Sequence, residues 1–138
     1  MQEQQVQTNK ALIGQFYNDV FTDWKFEIAD ELLAPDFTDH DMPPGMPAGP
    51  TGFRQFYGML RQAFPDLHYS VQQLIAEDDK VVVQWTWHGT HEGEFFNIPA
   101  TGRDATTTGM AIYRIADGKI AERWVKLDML GLISRLRA

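Results

Sequence analysis

The feature that most constrains this chain is a change of hydrophobic period at Pro65. Before it, apolar residues recur at helical spacing; after it, long runs of β-branched and aromatic residues take over. Leu12, Ile13, Phe16, Tyr17, Val20 and Phe21 fall on one helical face, with Thr8 or Asn9 available to cap the first free amides. A second short helix carries Ile28, Leu32 and Leu33 and ends at Ala34, because Pro35 disfavours helical geometry in the residue before it. Phe37 to His40 reads as a short strand. Pro43, Pro44, Pro47 and Pro50, interleaved with Gly45 and Gly49, make residues 42–50 a loop and a candidate lid. Phe53, Phe56, Tyr57, Leu60, Ala63 and Phe64 then predict a third helix over 51–64.

In the second half, 68–76, 80–90, 106–115 and 119–127 read as long strands. Glu77-Asp78-Asp79 and Ala116-Asp117-Gly118 supply turn chemistry, so neighbouring strands pair as antiparallel hairpins. Leu130, Ile133 and Leu136 give a closing helical turn or two able to cover the sheet edge. The predicted fold is α+β: a curved, mainly antiparallel sheet forming a cone, with three N-terminal helices packed on its concave face. Gly89, Gly93, Gly102 and Gly109 sit where bulges or sharp bends would curl the sheet, or are simple turn residues. A length of 138 residues fits one domain spanning 1–138, with 1–8 as a flexible lead.

Composition narrows the functions. A net charge of -7 repels nucleic acid phosphates and anionic lipid, and no basic run longer than Arg135-Leu136-Arg137 offsets it, so nucleic acid is not an expected partner. The absence of cysteine excludes disulfides, thiolate metal sites and cysteine nucleophiles. No apolar run approaches the ~20 residues of a spanning helix, and 1–8 lacks an apolar signal core, so the expected location is cytoplasmic and off the membrane.

Three features carry candidate chemistry. Asp39-His40-Asp41 lies at the mouth of the Pro/Gly loop, where functional side chains are often displayed. Asp41 or Asp39 is a candidate general base, and a neutral His40 a candidate proton shuttle; the same residues also suit a turn cap and a surface contact. Consecutive strand residues alternate in direction and no second ligand cluster appears, so no metal is expected. On the second long strand Trp85, Trp87, Gly89 and His91 share one parity. Facing inward, the two tryptophans would line a cavity for a flat hydrophobic molecule, with His91 near its rim; a tryptophan-rich core or dimer face is the other reading. Asp128 precedes the last helical segment, as a helix cap or a pocket acid.

Several segments together resemble the SnoaL-like polyketide cyclases, within the nuclear transport factor 2-like superfamily. They are Glu31-Leu-Leu-Ala-Pro-Asp-Phe-Thr-Asp-His40, Gly52-Phe-Arg-Gln-Phe-Tyr57, Ala63-Phe-Pro-Asp66, Gly89-Thr-His91, Ile98-Pro-Ala-Thr-Gly102 and Asp117-Gly-Lys-Ile-Ala-Glu-Arg-Trp124. The resemblance covers Asn9 to Leu136. It implies a conical pocket in which a small hydrophobic carbonyl or polyketide-like compound undergoes cyclisation, isomerisation or hydration by acid-base catalysis, without cofactor, in a homodimer. It departs at two positions: catalytic cyclases carry a histidine where Ala111 stands and an aspartate where Val125 stands. That departure motivates an alternative, a non-catalytic ligand-binding or accessory protein using the same pocket. On the parity of those positions, Tyr113 and Arg123 should also point into the pocket, Arg123 to hold an enolate or carboxylate or to serve as a structural ion-pair partner. Resemblance to the ketosteroid isomerases places their general base at Asp41 and their oxyanion-donating tyrosine at Tyr17, with their protonated aspartate again at Ala111. Arg123, Asp128 and Asp41 are similar in kind to the arginine and two aspartates of limonene-type epoxide hydrolases.

Overall fold

The computed structural model describes residues 2–137. Helix α1 (Gln2–Gln15) runs without a break into a π-helical segment (Phe16–Thr22), followed by α2 (Phe26–Leu32), β1 (Leu33–Asp39), α3 (Gly49–Ala63), β2 (His68–Glu77), β3 (Lys80–Thr90), β4 (Asp104–Ala116), β5 (Lys119–Leu127) and α4 (Met129–Arg137). The five strands form one sheet in the order β1-β5-β4-β3-β2. All neighbours pair antiparallel except β1, which runs parallel to β5.

Period explains both layers. Along β3 and β4, odd-numbered residues are buried and even-numbered ones are not, so Val81, Val83, Trp85, Trp87, Ala111 and Tyr113 face the helices. The wider turn of the π-helical segment buries Phe16, Tyr17, Val20 and Phe21 together, and the three aromatic rings pack edge-on or tilted against Phe53, Tyr69 and Tyr113. The sheet and the three N-terminal helices thus enclose one aromatic core, as the period change predicts.

Boundaries differ where local rules competed with tertiary packing. The first helix begins at Gln2, not at Thr8 or Asn9. Asn9 is buried instead, accepting a hydrogen bond from Gln5 and donating to the Asp78 carbonyl at the β2–β3 turn. Leu33 and Ala34 belong to β1, which starts before Pro35 and tolerates it at the sheet edge. Pro50 sits in the first turn of α3, where its missing N–H costs nothing. Gly52 lies against the 42–50 loop so closely that a Cβ would come within 1.8 Å of the Pro47 carbonyl oxygen.

The expected glycine bulges are also corrected. The register breaks fall at Gln72 in β2, between Leu33 and Thr38 in β1, and at Ala121 in β5. Ile115 pairs with Ile120 and Arg114 with Glu122, leaving Ala121 as the extra residue. That insertion switches the inward parity of β5 from Ile120 to Arg123. Helix α4 does not cover a sheet edge: it packs on the central strand β4, with Leu132 and Leu136 buried.

Candidate active site

Three strands and two helical segments bring the polar groups of the interior to one place. Arg123, turned inward by the Ala121 bulge, is 1% exposed and stands over the rings of Tyr57 and Tyr113, at 5.4 and 5.7 Å. Its Nε donates to the Tyr113 hydroxyl (3.0 Å), which lies 2.8 Å from the Tyr17 hydroxyl. Its Nη1 donates to Asp39 Oδ2 (2.8 Å), on the adjacent strand and in register with it. Asp39 is itself 4% exposed and accepts from the Asp41 N–H through Oδ1. Asp39, Arg123, Tyr113 and Tyr17 therefore form one buried chain of hydrogen bonds.

Burial alone would push the guanidinium toward its neutral form, but the oxygens of Tyr113, Tyr57 and Asp39 hold its pKa well above the ordinary value. Burial raises Tyr17 and Tyr57 well above the usual phenol range, with Tyr113 reinforcing the first, so both hydroxyls stay protonated near neutral pH. The third guanidinium nitrogen, Nη2, is buried without a partner, and so is the Trp85 indole N–H. Both residues border a small cavity of about 40 Å3 between α3, α4 and the sheet, completed by Tyr69, Trp87, Val125 and Met129. A buried donor left unpaired costs roughly 1–3 kcal/mol. The cavity is thus apolar in its walls, and two of the residues that border it carry an unpartnered buried donor.

Glycine shapes its floor. Gly109 on β4 faces Trp85 across the ladder, and a Cβ there would approach the indole ring to 2.5 Å. Without one, the indole lies flat over the backbone of β4.

The remaining candidates lie elsewhere. Asp41 extends the β1–β5 ladder: its Oδ2 accepts from the Val125 N–H and its Oδ1 from Lys126 Nζ, each at 2.8 Å. Partial burial raises its pKa, but Lys126, the Val125 amide and the Arg123 charge outweigh this and leave it below the usual carboxylate range. His40 is on the outer face, stacked on Trp124 at 4.8 Å, with Nε2 2.7 Å from Glu122 Oε2. Arg114 binds the other oxygen of Glu122. His91 is fully buried and stacks on Phe64; its Nδ1 accepts from the Thr101 N–H, leaving a protonated Nε2 without a partner. It packs behind the cavity rather than at its rim. Asp128 caps α4, its Oδ1 accepting from the Gly131 N–H at 2.9 Å, so Arg123, Asp128 and Asp41 do not converge. Among the described residues, no three His, Asp or Glu side chains gather as metal ligands would.

Ala111 and Val125 face each other across β4 and β5 on the inner side, and Val125 lines the cavity. Sequence reasoning missed Tyr57, Tyr69 and Phe95. Tyr57 lies four residues from Phe53 and three from Leu60, a spacing that any core-facing helix shows.

Comparison with known proteins agrees with this architecture. A solved structure of a proposed polyketide cyclase from Acidithiobacillus ferrooxidans is 30% identical, with a TM-score of 0.82 and 94% of each chain covered. IdmH, a proposed polyketide cyclase from Streptomyces antibioticus, is 29% identical with a TM-score of 0.81, covering 94% of this chain and 99% of that one. AclR, a proposed hydroxylase from Streptomyces galilaeus, is 26% identical with a TM-score of 0.83, over 96% and 97%. No curated protein matches the chain. The family model described as SnoaL-like polyketide cyclase matches residues 11–136, and the chain belongs to that family.

Proposed function

We propose that the cavity binds a small hydrophobic molecule through a neutral carbonyl oxygen at Arg123 and promotes acid-base chemistry at the neighbouring carbon. The observation that carries this reading is the unpartnered, fully buried Nη2 of Arg123, a residue that borders the aromatic cavity. Asp39 already offsets the guanidinium charge, so the free donor suits a neutral acceptor better than a second anion. An oxygen on Nη2 would lie beside the Asp39 oxygen on Nη1. In this pose the α-carbon, two bonds from the carbonyl oxygen, would have to be presented to the Asp39 carboxylate. In the step proposed, Asp39 takes the α-proton, the C–H electron pair forms the new Cα=C bond as the carbonyl π pair moves onto oxygen, and Arg123 stabilises the enolate oxygen's negative charge. The enolate carbon then attacks a second carbonyl in a cyclisation, or takes a proton back at a different position in an isomerisation. Asp39 is assigned the base role because it is the carboxylate bound to Arg123, whereas Asp41 is tied to Val125 and Lys126.

The test is exchange of the α-protons of a hydrophobic β-diketone in D2O. The wild type should accelerate exchange, and Asp39→Asn should abolish the acceleration while Asp41→Asn keeps it. A second reading, ligand carriage without turnover, is favoured by the apolar Ala111 and Val125 on the inner face. Thermal stabilisation by the diketone with no accelerated exchange would establish it in place of catalysis.

The outer face fits a second copy of the chain. Ile75, Val82, Ile112 and Trp124 are in register across β2, β3, β4 and β5, making an apolar row on the side away from the helices. We infer a homodimer through this row; sedimentation should give twice the mass of the 15.8 kDa chain, and Ile112→Lys should return it to monomer. A monomeric wild type at micromolar concentration would refute the dimer.

A further inference from the structure

The cavity at Arg123 has room for a group about the size of a water molecule or two, not for a ring. Directly behind Phe56, Leu60 and Phe95 lies an open groove of about 650 Å3, a volume in the range of small-molecule sites. Those three side chains border both spaces and form a shared partition. On the groove side, Met59 and Phe96 are 58% and 46% exposed, a pair of large apolar side chains left in water. Phe96 is held there by a tight Phe95–Ile98 bridge with φ of +46° at Phe96 and +64° at Asn97, a conformation uncommon for a bulky residue.

We propose that cavity and groove take one elongated ligand. A carbonyl-bearing tip passes between Phe56, Leu60 and Phe95 to Arg123, and an apolar body lies along Met59 and Phe96. This rests on the carbonyl reading of the cavity and adds the shape and polarity of the molecule. The volumes require it: a cavity that admits only a tip cannot supply the apolar burial that holds a hydrophobic ligand, and the groove can. Charge agrees. The tip meets a guanidinium already neutralised by Asp39, and the groove presents Glu94, so an uncharged, apolar body fits and an anionic one does not.

The experiment is an NMR titration of the full chain, labelled with 15N and at the methionine methyls, with 2-alkanones from 2-pentanone to 2-undecanone. The Trp85 indole N–H and the Arg123 Nε–H report on the cavity, and the Met59 methyl on the groove. All members of the series should shift the cavity signals. Only the longer ones should shift Met59, and over that span each methylene should tighten Kd about threefold. Met59→Ser, at an exposed position, should remove several-fold of that gain for 2-undecanone. A level Kd with Met59 unmoved would overturn the elongated ligand and leave the carbonyl reading standing. Cavity signals unmoved by every ketone would overturn both. Movement of Met59 alone would mean that the groove binds without a tip reaching Arg123, and would also overturn the proposal.

Discussion

Glu122 and Arg123 are neighbours on β5 and face opposite sides of the sheet, and each anchors an ionic cluster. Outside, Glu122 joins Arg114 and His40, whose side chains remain 33% and 39% exposed. Inside, Arg123 and Asp39 are 1% and 4% exposed. The residue types are nearly the same and the consequences are not. Water screens the outer cluster, so its members can be changed at little cost. The inner pair has lost its water, so each charge depends on the other, and the Nη2 amino group is left without a partner. One inserted residue, Ala121, decides which of the two neighbours is placed in which setting.

The contrast can be broken most severely at Asp39. Asp39→Ala leaves the buried Arg123 charge unpaired and should destabilise the fold by about 3–5 kcal/mol in denaturant titration. Replacing the pair together, as Asp39→Leu with Arg123→Met, should recover most of that loss while abolishing ketone binding, because the charge is removed with its partner. Next in size is Gly109→Ala, whose methyl would meet the Trp85 ring and should cost about 1–3 kcal/mol and shift the indole N–H signal. Tyr113→Phe removes the hydroxyl between Arg123 and Tyr17 and should cost about 1–2 kcal/mol. It should weaken ketone binding less than Asp39→Ala does, since Nη2 is untouched.

The outer face should give the smallest effects. Glu122 is held below its ordinary pKa by its hydrogen bonds from His40 and Arg114, and Asp41 is lowered as well. A depressed folded pKa contributes stability that is present above the unfolded value and lost as pH falls through the folded one. Asp41→Asn and Glu122→Gln should therefore flatten the loss of stability on acidification below the ordinary carboxylate range, and the Glu122 contribution should fade in about 1 M salt. An acid profile unchanged by both variants would mean that these ties contribute nothing.

The fold was legible because period is a local property. The strand limits of β3 and β5 follow from runs of β-branched and aromatic residues bounded by turn residues, and parity puts Trp85 and Trp87 on one face; only the packed structure makes that face the inner one. The site was legible only in part. Arg123, Tyr113 and Tyr17 were found through resemblance and parity, yet their linkage needs the Ala121 bulge, which no residue type announces. Resemblance places the general base at Asp41, and residue type alone does not separate it from Asp39; the parallel β1–β5 register directs Asp39 to Arg123 and Asp41 to the Val125 amide. His91 could not be ranked either, because a buried histidine and a rim histidine share one strand parity.

The most direct test of the central claim is a crystal structure of the wild type soaked with a hydrophobic β-diketone. The account expects a carbonyl oxygen within about 3 Å of Arg123 Nη2, with the Asp39 bond to Nη1 kept. A diketone seated elsewhere, with Nη2 turned to a protein acceptor or to water, would contradict it.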